Sequence, residues 1–135
     1  MDRIVGIDYG RKRVGVAASD PLGIFASALD TVQSAKIIDY LKKYMENENV
    51  VLFVVGYPIN MDGSIGPRAE KISNFSKKLE ERFSLPVKFV DERCTTMIAH
   101  SILNQTNTRG KKRKSVVDTL SAEIILQSYL DSDRK

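Results

Sequence analysis

Hydrophobic and polar positions along this chain follow two rhythms, and each predicts a different element. Residues 3–9 and 14–19 are β-branched and apolar runs separated by Gly10-Arg11-Lys12-Arg13, a hairpin-length connection containing glycine. Residues 25–32 carry a weaker strand pattern. The rhythm then changes: Ile37, Ile38, Leu41, Tyr44 and Met45 fall on one side of a helix, with Ser34 as its expected cap. Val50-Val51-Leu52-Phe53-Val54-Val55 is unbroken, as a strand covered on both faces requires. The stretch from Gly56 to Gly66 reads as a loop, and Pro67 suits the first turn of a following helix. That helix carries Ala69, Ile72, Phe75, Leu79 and Phe83 at spacings of three and four, with lysines and glutamates opposite. Past Pro86, residues 87–90 form a short strand ending in Asp91-Glu92-Arg93. A helix is expected over about 95–105, a mobile polar segment over 106–114, and a last helix over about 116–130 capped by Ser115.

The order β-β-β-α-β-α-β-α-α begins with an antiparallel meander and continues in βα units. It implies a mixed five-stranded sheet with helices on both faces, in one domain over residues 1–135. In open sheets of this kind, sites gather beyond the carboxyl ends of the central strands.

Composition narrows the class. A chain of 135 residues, 42% hydrophobic and 28% charged, has room for one core. No apolar run approaches the roughly 20 residues of a membrane helix, and the N-terminus lacks the apolar centre of a signal peptide. A single cysteine, Cys94, forms no internal disulfide and fits a reducing cytoplasm. The net charge of +4 is unevenly placed. Removing Arg109, Lys111, Lys112, Arg113 and Lys114 would bring it to −1, and removing Arg11, Lys12 and Arg13 as well to −4. Two short basic segments on a mildly acidic body point to a polyanionic partner.

Three acids stand where the strand-end rule would put chemistry. Asp8 ends the first strand, Glu92 follows the last, and Asp118 lies in the first turn of the last expected helix. Each has a plainer reading. Asp8 can open the turn before Gly10, and Glu92 can pair with Arg93 at the surface. Asp118 completes Ser115-Val116-Val117-Asp118, a capping pattern. Asp118, Ser121, Ala122 and Ile125 nevertheless share one helical face of small and apolar residues. Converging carboxylates without His or Cys partners select hard cations, Mg²⁺ or Mn²⁺, and a cation removes their mutual repulsion. Cys94 and His100 are single and read as a small buried residue and a partly buried or surface histidine.

The motifs resemble a known family. Gly6-Ile7-Asp8-Tyr9-Gly10-Arg11-Lys12-Arg13-Val14-Gly15-Val16-Ala17, with Ser19-Asp20-Pro21, is similar to the opening motif of the YqgF (RuvX) family. Val54-Val55-Gly56-Tyr57-Pro58, Asn60-Met61-Asp62-Gly63-Ser64 and Gly66-Pro67-Arg68-Ala69 resemble its central loop. Asp91-Glu92-Arg93 with Thr95-Thr96 resembles its third block, and Lys114-Ser115-Val116-Val117-Asp118 running into Ala122 and Ile125-Leu126-Gln127 its last. Cys94 and Ser121 depart mildly, and neither departure removes an acid. The resemblance implies a three-layer ribonuclease H-like fold and a metal-dependent nuclease, acting on Holliday junctions or on the 5′ end of precursor 16S rRNA. It implies Asp8, Glu92 and Asp118 as catalytic ligands of one or two Mg²⁺ or Mn²⁺ ions. Asp91 would face the other way. Arg11, Lys12, Arg13, Arg109, Lys111, Lys112, Arg113 and Lys114 would meet phosphates, with Gly6 and Gly10 leaving room for backbone and substrate around Asp8. The assembly would be a monomer or a homodimer, and its setting cytoplasmic.

Two other readings compete. The strand-Asp-x-Gly turn is similar to the phosphate turn of actin-like sugar kinases, but those need two lobes around ATP. A non-catalytic nucleic-acid-binding module of the same fold is the nearer rival, and the three retained acids weigh against it.

Overall fold

The structure, a computed structural model, describes residues 2–58, 66–91 and 110–133, and within 110–119 and at 133 the backbone alone. It is built on a five-stranded sheet. Strands β1 (Asp2–Tyr9), β2 (Arg13–Ser19) and β3 (Ala26–Gln33) form the antiparallel meander. After a 3-10 turn over Ser34–Lys36 come α1 (Ile37–Tyr44), β4 (Asn49–Tyr57), α2 (Pro67–Phe83) and β5 (Val87–Asp91). Helix α3 (Gly110–Asp133) closes the described chain. The spatial order is β3-β2-β1-β4-β5, with β1, β4 and β5 parallel. The mixed sheet with helices on both faces is thus the architecture the patterning implies.

The pleat sends alternate side chains to opposite faces, and the sheet has two cores. Val5, Ile7, Val14, Val16, Phe53 and Val55 pack against Ile37 and Leu41 of α1 and Ile72, Phe75 and Leu79 of α2. Ala17, Ala26, Leu52 and Val54 pack against Ala122, Ile125, Leu126 and Leu130 of α3. The second layer is made of smaller residues, so α3 lies close to the strands. Gly6 marks the closest approach: a Cβ there would sit 2.6 Å from Leu126 Cβ and 3.1 Å from the Ala122 carbonyl. Gly10 serves the β1–β2 turn. Its N–H donates to the Arg13 carbonyl at 2.9 Å, and a Cβ would meet that same oxygen at 2.5 Å. Both glycines therefore make room for protein backbone, as expected, and at Gly6 that backbone belongs to a packed helix.

Two expected caps are corrected. Ser34 makes no capping bond; its hydroxyl donates to the Gly10 carbonyl at 2.8 Å and its N–H to the Lys12 carbonyl at 3.0 Å, tying the basic turn to the end of β3. Ser115 does not cap either, because α3 begins at Gly110. Lysine and arginine are good helix formers, so Lys111–Lys114 extend the helix instead of forming a loop. Asp118 then lies beyond the first turn, where the helix dipole has faded. The helix expected over about 95–105, with Cys94 and His100, lies outside the described residues.

Candidate active site

Asp8 occupies the penultimate position of β1, directly across from Gly15 of β2. On the other side, Ile7 pairs with Val55, and Gly56 is the next residue of β4. A carboxylate flanked by glycines on both neighbouring strands has no side chains of its own row crowding it. Asp8 shares its face with Ile4 and Gly6, the face that α3 covers. Its side chain keeps 15% exposure. It is therefore sheltered yet reachable.

A cation faces it. The Arg68 guanidinium lies 3.8 Å from Asp8 Oδ1 and donates to the Tyr9 carbonyl at 3.1 Å. Arg68 itself is 54% exposed, so the pair contributes at most about 1 kcal/mol to stability. Arg68 sits in the first turn of α2, right after Gly66 and Pro67. A helix N-terminus disfavours a cation, so a tertiary partner is the reason for one there. Arg68 belongs to the central-loop motif, which assigns it no role; a cation in the first turn of a helix is the signal in the sequence that marks it.

The remaining expected site residues divide by where they fall. Glu92 and Arg109 lie outside the described residues, and Asp118 and Lys111–Lys114 are placed by backbone alone. Among the described residues, no group of three His, Cys, Asp or Glu forms a metal-sized cluster. Asp91 pairs with Tyr57, whose ring meets Phe89 at 5.0 Å on the α1–α2 face. Asp91 thus stands on the opposite face from Asp8, as expected. Val90 packs on the α3 side.

Direction along α3 can be read from its contacts. Gln127 accepts from the Ala26 N–H at 2.8 Å and donates to the Ile24 carbonyl at 2.9 Å, at the β2–β3 turn. Ser19, which pairs with Ala26, receives the Ile4 N–H on its hydroxyl. Gln127 is therefore near the start of β1, while Ala122 and Leu126 cover Gly6. Towards its N-terminus, α3 advances along β1 in the direction of Asp8. Ser121, Ala122 and Ile125 are buried, so the helical face sharing Asp118's spacing is the packed one.

Arg11, Lys12 and Arg13 gather with Gln33, Ser34 and Ala35 around a shallow concavity of about 570 Å³. This basic turn follows Asp8 by three residues, at the same end of the sheet.

A mixed sheet whose central strand carries a carboxylate at its end, covered by a late helix, defines a ribonuclease H-like protein. Two solved resolvases share the architecture. The Fowlpox virus resolvase in complex with Holliday junction DNA superposes with a TM-score of 0.57 at 14% identity, covering 98% of this chain and 99% of the other. RuvC of T. thermophilus with a Holliday junction substrate gives 0.57 at 12% identity, covering 99% and 96%. At those identities the likeness is one of fold. The family follows from sequence: the RuvX profile, described as Holliday junction resolvase, matches residues 2–132, and the chain belongs to that family. A Geobacillus kaustophilus relative named "Putative pre-16S rRNA nuclease" is 45% identical over 137 residues, covering 98% of this chain and 99% of its own length. A relative of the same name from Streptococcus pneumoniae (strain Hungary19A-6) is 45% identical over 135 residues, covering 96% and 97%. One from Bacteroides fragilis (strain YCH46) is 40% identical over 137 residues, covering 99% of each.

Proposed function

We propose that this chain is a metal-dependent endonuclease that hydrolyses nucleic-acid phosphodiesters, with precursor 16S rRNA as its substrate and branched DNA as the alternative. The observation that carries the reading is Asp8: a sheltered carboxylate at the end of a central strand, open on its glycine-flanked row and already facing a cation at 3.8 Å.

Asp8, Glu92 and Asp118 would hold one or two Mg²⁺ or Mn²⁺ ions. The donor chemistry fits, since all three offer only carboxylate oxygen. Backbone geometry supports Asp118 as a partner of Asp8. From Ala122 to Asp118 the helix advances by about 6 Å; from Gly6 to Asp8 the strand advances by about 7 Å in the same sense. Val90, near the end of β5, packs on the α3 face; Glu92 follows in sequence and is assigned to the site by its motif. When bound, such ions activate water and stabilise the leaving oxygen of a phosphodiester.

The protein's own cations do the positioning. Arg11, Lys12 and Arg13, together with Arg109, Lys111, Lys112, Arg113 and Lys114, would hold backbone phosphates without reading sequence. Among the described residues no helix is long and apolar enough to cross a membrane, and the single cysteine accords with a cytoplasmic setting.

The test is cleavage of precursor 16S rRNA and of a four-way DNA junction, side by side, by the protein and by Asp8→Asn, each with Mg²⁺ or chelator. Metal-dependent cleavage of the RNA that Asp8→Asn loses is expected. Cleavage of the junction alone moves the substrate to DNA. Equal cleavage by both proteins would overturn the mechanism, and tight binding without cleavage would make the chain a binding module.

A further inference from the structure

We propose that the flank of α2 nearest Asp8 is a track for one unpaired strand of nucleic acid, leading its sugar–phosphate backbone to the candidate site. This deepens the nuclease reading and rests on it. The polar surface of α2 is not a mixed solvated face. Arg68, Lys71, Lys78 and Arg82 follow one another at spacings of three, seven and four residues and share one narrow sector. Glu70, Glu80 and Glu81, with Lys77, occupy the other side. One helix thus presents a cationic edge and a mainly acidic edge, and it is the cationic edge that turns towards β1.

That edge borders two neighbouring cavities. A cavity of about 240 Å³ is lined by Tyr9, Gly10, Arg11, Pro67, Arg68, Lys71 and Ile72. Its neighbour, of about 290 Å³, is lined by Tyr9, Lys71, Asn74, Phe75 and Lys78. Tyr9 and Lys71 line both, so the two are neighbours along the same flank of α2. Neither has an acid among its lining residues. From Arg68 to Lys78 the helix runs about 15 Å, long enough to meet several successive phosphates. Its first station, Arg68, is the residue facing Asp8.

The floor of these cavities explains the choice of a single strand. Tyr9 stacks on Phe75 with ring centroids 4.1 Å apart, which fixes the tyrosine as a flat apolar surface between cations. A positively charged groove with an aromatic platform is the arrangement that holds unpaired strands, through phosphates on one side and sugars or bases on the other. Both cavities are small, about 240 and 290 Å³, a size suited to the successive units of one backbone.

The experiment measures binding of a short single-stranded RNA by fluorescence anisotropy, in chelator, across a salt series. It compares the full chain with Lys71→Gln/Lys78→Gln and with Lys43→Gln/Lys77→Gln. The control pair removes the same charge from the far edge of α2 and from the last turn of α1. Each phosphate contact with a single strand contributes about 0.7 to the slope of log K against log salt. The track variant should flatten that slope by about 1.4, and the control should leave it unchanged. Equal flattening in both would reduce the effect to net charge and overturn the track. So would an unchanged slope in the track variant, or a loss seen only with a duplex probe. Because binding is read without metal, failure here is distinct from failure of the nuclease reading, which Asp8→Asn tests by cleavage.

Discussion

Replacing Gly6 with alanine should destabilise this protein, although every local preference points the other way. Alanine in a strand interior ordinarily gains about 0.5–1 kcal/mol over glycine through the unfolded chain. Here the new methyl would lie 2.6 Å from Leu126 Cβ and 3.1 Å from the Ala122 carbonyl. Restoring ordinary contact needs a retreat of about 0.8 Å, and both neighbours are fixed. Leu126 Cβ and the Ala122 backbone belong to α3, whose packed side chains Ala122, Ile125 and Leu126 are fully buried. The helix must move as a body. Overpacking of that kind costs about 1–3 kcal/mol, so we expect a net loss of about 2 kcal/mol. With a urea m-value of about 2 kcal/mol per molar, the unfolding midpoint falls by about 1 M. Moving α3 also moves Asp118 relative to Asp8, and misplacement by about 1 Å can cost about a hundredfold in rate. Metal-dependent cleavage by the folded variant should therefore fall by at least about tenfold. A variant with an unchanged or raised midpoint would refute the close approach of α3 to β1. One that unfolds earlier yet cleaves at the normal rate would separate α3 from the chemistry.

Three further outcomes follow from the packing. Gln127→Ala strands the Ala26 N–H and the Ile24 carbonyl, which the amide satisfies at 2.8 and 2.9 Å; urea unfolding should show a loss of about 1–3 kcal/mol. Ser76 is buried with its hydroxyl lacking a hydrogen-bond partner among the described residues, so Ser76→Ala should be neutral or stabilising by up to about 1 kcal/mol. The Asp20 carboxyl is held below the usual carboxylate range, chiefly by the Ile24 N–H and partly opposed by desolvation. A depressed carboxylate stabilises the fold at neutral pH and loses that contribution as pH falls through its folded value. The gap in Tm between the protein and Asp20→Asn should therefore narrow on acidification, and a constant gap would show that the charge is not what matters.

Much of this was legible from side-chain rhythm, because burial on one or both faces of a strand writes itself into the sequence. The run Val50–Val55 announced a central strand, and the spacing of Ala69, Ile72, Phe75 and Leu79 announced the buried face of α2. Asp8 stood out for the same reason, as an acid closing an apolar run. What local pattern could not carry was anything set between distant segments. Which neighbour fills the space at Gly6 is not readable locally, because Leu126, 120 positions away, leaves no trace near it. The start of α3 was misplaced because a basic run reads equally as a solvated loop or as a helix of lysines and arginines. Lys71 and Lys78 read as ordinary surface charge, and Arg68 as a motif residue without a role, until the fold sets the lysines by Tyr9 and the arginine by Asp8.

The central claim is that Asp8, Glu92 and Asp118 form one cation site, and metal binding tests it without reference to any substrate. Mn²⁺ titration of the full chain, followed by calorimetry, should be compared with Asp8→Asn, Glu92→Gln and Asp118→Asn, with Asp91→Asn as the control on the opposite face. Each of the three should weaken Mn²⁺ by at least about tenfold, the usual size of a lost ligand contribution of about 1.4 kcal/mol or more, while Asp91→Asn binds like the parent. Identical titrations for the parent and all four variants would contradict the account.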